Sequence, residues 1–284
     1  MTATHAAPGP QAEERFVDLP AGRFRYLEWP GSGPPLLLLH GLAMVAEAWE
    51  PLIRELGDTG RRIIAPDLRA HGQSHPAGRR YDIDAYVDDT LAFVDVLELS
   101  RPVLAGHSMG ARIAMVLAAR NPGALAGVVM VDIGPEAWKA NWEEAVDGFM
   151  SMPRAFQGEQ EAIAYASRGR ELSPDARRVF LARLGPAPDG ALIWRADVDA
   201  LCAAVRSQRS RNYWREWERI EPPALLMRGE RSRELRPHVY EAMQRRNSRP
   251  GFVEIPGVGH NIPLSAPDAL ASHLVRFLER LEEG

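Results

Sequence analysis

The run Gly106-His107-Ser108-Met109-Gly110 constrains this chain more than any other stretch. The apolar segment Pro102-Val103-Leu104-Ala105 precedes it, and Ala111-Arg112-Ile113-Ala114-Met115 follows at once. A buried strand, a tight turn with small residues on both sides of a serine, and an immediate helix form a nucleophile elbow. Glycines at 106 and 110 let strand and helix close on each other. The hydroxyl of Ser108 is left projecting beside a helix N-terminus that favours developing negative charge.

Apolar runs at regular intervals surround this elbow. Leu36 to Leu39, Arg62 to Ala65, Val103 to Ala105, Val128 to Val131, Ala224 to Met227 and Phe252 to Ile255 read as strands. Several are continuously apolar, which indicates burial on both faces and hence a mostly parallel sheet covered by helices. Helical patterns near 46–57, 83–98, 109–120, 237–246 and 267–282 separate them, so the fold class is α/β. Phe16 to Leu19 and Phe24 to Trp29 read as a leading hairpin. The alternation breaks between 134 and 221, where helical patches, no convincing buried strand and five of the seven tryptophans occur. The organisation read from this is a loose tail at 1–12, a core at 13–133 and 222–284, and a helical cap at 134–221. Trp138, Trp142, Trp194 and Trp214 are candidates to line a pocket under that cap.

Composition excludes several alternatives. With 34 basic and 38 acidic side chains the formal charge is -4, which argues against a nucleic-acid footprint. Cys202 is the single cysteine, so no intrachain disulfide and no thiolate metal cluster form. No apolar run is long enough for a membrane span, and the N-terminus lacks a signal-peptide pattern, so a cytoplasmic protein is the expectation. No H-E-x-x-H pattern or nucleotide-binding glycine loop is present, so neither a metal nor a cofactor is expected. The oligomeric state stays open, with a homodimer among the arrangements allowed.

A serine hydroxyl needs a base. His260 is the best candidate, in the loop Pro256-Gly257-Val258-Gly259-His260-Asn261 after the strand at 252–255. Parallel strands bring that loop to the same carboxyl edge as the elbow, where open α/β sheets bind ligands.

These marks, with His40-Gly41 after the third strand and Asp67-Leu68-Arg69-Ala70-His71-Gly72-Gln73-Ser74, resemble the α/β-hydrolase superfamily. The second run is similar to that family's "D-x-R-G-H-G-x-S" loop, with alanine at 70 where glycine is usual. The resemblance covers about residues 14–282 and implies a mostly parallel eight-stranded sheet, helices on both faces and an inserted cap. It also implies an oxyanion hole from the amides of Leu42 and Met109, with His40, Gly41 and His107 at the pocket. His40, Asp67, His71 and Ser74 are read chiefly as loop braces.

The family's commonest acid position, in a "G-x-x-D" setting, reads Gly229-Glu230-Arg231-Ser232 here, so serine stands where the acid belongs. Asp132, at the end of the strand after the nucleophile helix, is the first substitute, and Glu230 is the alternative. The resulting expectation is a cofactor-free serine hydrolase acting on a small, moderately apolar ester or lactone. Two competing readings are a C–C bond hydrolase of dienoates or β-diketones, and a small-molecule receptor on the same fold.

Overall fold

The computed structural model describes residues 11–76, 78–136, 142–208 and 211–283. The chain opens with β1 (Glu13–Leu19), β2 (Gly22–Trp29) and β3 (Gly33–Leu39), then α1 (Glu50–Leu56), β4 (Arg61–Pro66), the two-residue β5 (His75–Pro76) and α2 (Ile83–Val96). Next come β6 (Val103–His107), α3 (Met109–Arg120) and β7 (Gly127–Val131). The insertion holds α4 (Trp142–Met150), β8 (Ala155–Phe156), α5 (Glu159–Ser167), α6 (Pro174–Ala182), β9 (Leu184–Pro186), β10 (Leu192–Trp194) and α7 (Val198–Gln208). The chain closes with α8 (Trp214–Glu218), β11 (Ala224–Gly229), α9 (Pro237–Arg246), β12 (Gly251–Ile255), α10 (Ile262–Ser265) and α11 (Pro267–Glu283).

The main sheet runs β1-β2-β4-β3-β6-β7-β11-β12, eight strands along the path, with β5 paired to β2 at the side. The pairings β4-β3-β6-β7-β11-β12 are parallel, and the leading hairpin is antiparallel. Side chains alternate between two cores. Leu37, Leu39, Leu104, Val128, Met130 and Leu226 face one cluster with α3, while Leu36, Leu38, Val103, Val129, Val131 and Leu225 face the other with α11. That is why these strands are apolar without interruption: each successive residue meets a different helical layer. Fully burying one such leucine contributes about 1.5–3 kcal/mol.

The insertion has two small clusters of its own. Val146, Val198, Cys202 and Val205 join α4 to α7; Phe156, Ala162, Phe180 and Leu184 join α5, α6 and the short strands. A three-stranded sheet, β8-β10-β9, corrects the purely helical expectation for 134–221. Its strands have two or three residues, too short for an alternating pattern to show. The upper boundary also shifts. Tyr213, Trp217 and Ile220 are buried in the main core, so the chain has rejoined the core layer before 221. Of the tail read at 1–12, residues 1–10 lie outside the described residues, and Ala12 packs on the core.

Strand β6 and helix α3 approach so closely that a Cβ on Gly106 would meet the Gly110 carbonyl at 2.3 Å, and one on Gly110 the Leu39 carbonyl at 2.1 Å. Gly110→Ala therefore forces β3 and α3 apart. The expected cost is about 1–3 kcal/mol or more, seen as a fall in Tm in thermal denaturation; an unchanged Tm would contradict this close approach.

Candidate active site

Four parallel strands end together along one edge. The register aligns His107 with Val131, and Val131 with Met227, while Gly229 aligns with Ile255. Ser108 and Asp132 therefore leave neighbouring strands at the same level. Both adopt left-handed backbone, with φ of 54° and 57°. Such a conformation is costly for a non-glycine residue and is held only where its surroundings over-determine it. Here the Ser108 amide donates to Val131 O at 2.9 Å and the Asp132 amide to Met227 O at 2.8 Å.

The loop carrying His260 folds back because Gly229 lacks a side chain: a Cβ there would meet Gly259 O at 2.4 Å. The Arg231 amide donates to Val258 O at 2.8 Å and pins the same approach. His260 then stands between serine and acid. Its Nε2 is 3.0 Å from Ser108 Oγ, and its Nδ1 is 2.6 Å from Asp132 Oδ2. With Nδ1–H donating to the carboxylate, Nε2 is left as an acceptor facing the serine hydroxyl.

Asp132 is fully buried, while the His260 side chain is 32% exposed. The carboxylate is satisfied from three directions. Besides His260, the Gly229 amide donates to Oδ1 at 2.8 Å and Ser232 Oγ donates to Oδ2 at 2.5 Å. Ser232 in turn accepts from the amides of Glu234 and Leu235, at 3.2 Å each. The sequence marked Ser232 as a missing acid, whereas here it is a donor to the acid on the adjacent strand. Glu230 lies elsewhere: its Oε2 accepts from the Gly257 amide at 2.6 Å, on the exposed side of the loop.

His107 is buried beside His260, with ring centroids 4.8 Å apart, and its Nε2 donates to the His260 carbonyl at 2.9 Å. Gly41 lies against this pair: a Cβ on it would be 3.1 Å from His107 Nδ1 and 3.3 Å from Ser108 Cβ. The loop after β3 is thereby set beside the nucleophile. Among the described residues no protein acceptor takes the amides of Leu42 or Met109. The neighbouring amides are committed, Ala43 to His71 Nε2 at 2.9 Å and Met44 to Gly41 O at 3.1 Å.

His40 is fully buried, so it offers no surface to a pocket; this corrects its placement there. It accepts the Leu68 amide at Nε2 (2.9 Å) and donates from Nδ1 to Gly41 O (2.8 Å). His107, 6% exposed, likewise supports the loop carrying His260 rather than lining open space. Asp67 accepts from the amides of Ala46 and Gln73 and from Arg25, and Ser74 Oγ donates to the Asp67 carbonyl.

The tryptophans divide. Trp142 packs with Leu42 on the α4–α7 cluster, next to the site loop. Trp194 belongs to the aromatic core of the insertion, edge-on to Phe156 and Phe180, and its Nε1 donates to Pro153 O. Trp214 packs on the main core beneath the Arg246 guanidinium. These placements give Trp194 and Trp214 packing roles, Trp194 in the core of the insertion and Trp214 on the main core. Trp138 lies outside the described residues. Cys202 is buried in the α4–α7 cluster and burial pushes its thiol up. Among the described residues no group of His, Cys, Asp and Glu is placed to hold a metal ion, and no helix is long and apolar enough to cross a membrane.

Burial depresses His40 to about 4, and His71 and His107 to about 3; neighbouring His40 adds to the effect on His71, and His260 to that on His107. Each is neutral in the native state and takes a proton in the unfolded chain below about 6.5. Unfolded chains then bind more protons, so stability is full above that pH and declines as pH falls toward the native values. Thermal denaturation is expected to show Tm falling from pH 7 to pH 5; a flat profile over that interval would contradict the buried neutral imidazoles.

The model of an alpha/beta hydrolase family matches residues 36–273. The chain is 29% identical over 255 residues, 88% of its own length and 89% of the relative's, to 2-(acetamidomethylene)succinate hydrolase of Mesorhizobium japonicum. It is 28% identical to 3-hydroxybutyrate-oligomer hydrolase of Cupriavidus necator, covering 85% of this chain and 88% of that one. The crystal structure of E-2-(acetamidomethylene)succinate hydrolase superposes with a TM-score of 0.85 at 27% identity, over 95% of this chain and all of that one. An enol-lactonase from Burkholderia xenovorans shares the fold, with a TM-score of 0.74 at 20% identity over 93% of this chain and 100% of that one. The chain belongs to the alpha/beta hydrolase family.

Proposed function

We propose that this hydrolase acts through Ser108 on a carboxylic ester or lactone of a small, moderately apolar substrate, by way of an acyl-enzyme. The observation that carries this reading is the continuous line from Ser108 Oγ through the His260 imidazole to the buried Asp132 carboxylate, at 3.0 and 2.6 Å. In the first step Ser108 Oγ bonds to the substrate carbonyl carbon while its proton passes to His260 Nε2. Asp132 holds the imidazole in the tautomer that can accept and stabilises the imidazolium formed. Negative charge on the former carbonyl oxygen meets the amides of Leu42 and Met109, which have no other acceptor among the described residues. As the intermediate collapses, the carbon–oxygen bond to the alcohol breaks and His260 returns the proton to it. Water then repeats the sequence on the acyl-enzyme, releasing the acid.

The oligomer-hydrolase relative supports ester chemistry. The other relative's name describes an acylated amino-alkene with two carboxyl groups, an amide whose hydrolysis is also an acyl transfer, so it leaves the bond cleaved here open and a second reading stands beside the first. On that reading the same Ser108–His260 pair cleaves a bond beside a conjugated system, as a C–C hydrolase of a dienoate or β-diketone does.

A panel of 4-nitrophenyl esters, small lactones and a ring-fission dienoate separates these readings. Ester or lactone turnover is expected. Ser108→Ala should abolish it, and Asp132→Asn should lower it by about four orders of magnitude. Glu230→Gln should stay within about twofold of the parent, as for a surface change. Retained turnover in Asp132→Asn together with loss in Glu230→Gln would overturn the acid assignment. Dienoate cleavage without ester cleavage would select the second reading.

A further inference from the structure

Among the described residues most enclosed arginines are answered by acceptors. Arg69 is gripped by both oxygens of Asp89, Arg25 by Asp67, Glu47 and Glu14, and Arg228 by Glu254 and two carbonyls. Arg112 reaches the Gly134 and Glu136 carbonyls and Gln208. Arg183 differs. Its side chain is half-buried, its Nε is enclosed without a hydrogen-bond partner as Arg112 Nε also is, and unlike Arg112 it has no acceptor for its other guanidinium nitrogens among the described residues. Its neighbours are rings: the guanidinium carbon lies 5.4 Å from the Phe180 centroid and 5.0 Å from that of Trp194. Enclosure lowers its pKa to about 10, which leaves it charged at neutral pH. Cation–π contact returns less than the partial loss of hydration costs, so a guanidinium held this way gains from an anion at its open edge.

Its place in the fold says where that counter-charge would come from. Arg183 follows α6, which is fixed to α1 by Arg54–Asp175 and Arg178–Glu50. Its carbonyl accepts the Arg195 amide, and two residues further on the Asp197 amide donates to Ala70 O. Arg183 thus lies at the end of the strand pair tied to the 67–74 loop, and its charge adds to the burial that lowers His71. His71 in turn holds the Ala43 amide, next to Leu42.

We propose that Arg183 binds a carboxylate of the substrate, remote from the scissile carbonyl, and so selects anionic over neutral substrates. The planar guanidinium, flanked by aromatic walls, suits two parallel hydrogen bonds to one carboxylate. The proposal rests on the hydrolase reading for its substrate class and on Arg183 alone for its charge preference.

Two measurements test it. The first compares kcat/KM for mono-4-nitrophenyl adipate with that for its neutral methyl ester, in the parent, Arg183→Met and Arg183→Lys. Arg183→Met should lose about 10- to 100-fold on the anionic ester, chiefly in KM, and less than about threefold on the neutral one. Arg183→Lys should recover part of the loss. Equal losses on both esters, or none, would overturn the proposal, since a merely structural arginine would not change the ratio. The second titrates Ser108→Ala calorimetrically with succinate, glutarate and adipate. At least one should bind, and should fail to bind when Arg183→Met is added. Binding by none, or binding unaffected by Arg183→Met, would overturn it. Arg183-dependent binding without turnover of either ester would sustain the anion site while removing the ester reading.

Discussion

A carboxylate with no access to water organises the carboxyl edge of this sheet. An isolated buried charge is among the most costly things a fold can contain, and it persists only when enough donors replace its hydration. Asp132 has three, each from a different piece of chain: the Gly229 amide at the end of β11, the Ser232 hydroxyl in the following loop, and His260 in the loop after β12. Meeting the needs of one side chain therefore fixes three strand ends relative to one another. The left-handed backbone at Asp132 fits the same account, because it turns the side chain across the strand ends toward its donors.

Neutral imidazoles do comparable work on the other side of Ser108. His40 and His71 each accept a backbone amide at Nε2 and donate to a backbone carbonyl at Nδ1, joining the loop after β3 to the loop after β4. A neutral imidazole is one of the few compact side chains that can donate at one end and accept at the other without carrying charge. Burial keeps both in that form. The consequence reaches Leu42: with Ala43 and Met44 committed to other acceptors, its amide stays available to a ligand oxygen.

Much of this was legible in the residues. The doubly buried strands follow from unbroken apolar runs, and the elbow from small residues around a serine between strand and helix. His260 follows from its place after a parallel strand. The acid reduced only to Asp132 or Glu230, because the choice depends on the register of β7 against β11, and no local pattern encodes register between strands so far apart in the chain. Ser232 looked like a loss because sequence shows which side chain is absent, not what a hydroxyl there can reach. The tryptophans stay ambiguous in sequence for a related reason. Trp194 and Trp214 are large enough to serve either a pocket or a small core, and only their neighbours decide which. Ala70 is a subtler case: its φ of 61° explains why glycine suits that position, yet alanine holds it within the laced loops.

The helix that presents Ser108 also governs the insertion above it. Arg112, one turn beyond the nucleophile, donates to the Gly134 and Glu136 carbonyls where the chain leaves the core, and to Gln208 at the end of α7 as it returns. Its amide bonds the Ser108 carbonyl. Both ends of the insertion are thus referred to the residue that carries the nucleophile. Meanwhile α6 is tied separately to α1, and the exit of β10 to the 67–74 loop. A roof fastened only at its hinges would leave the distance between Arg183 and the serine free to vary. Fastened to α3, α1 and the Ala70 turn together, the insertion keeps a fixed relation to the elbow, which is what discrimination by a second, distant contact on the proposed substrate carboxylate would require.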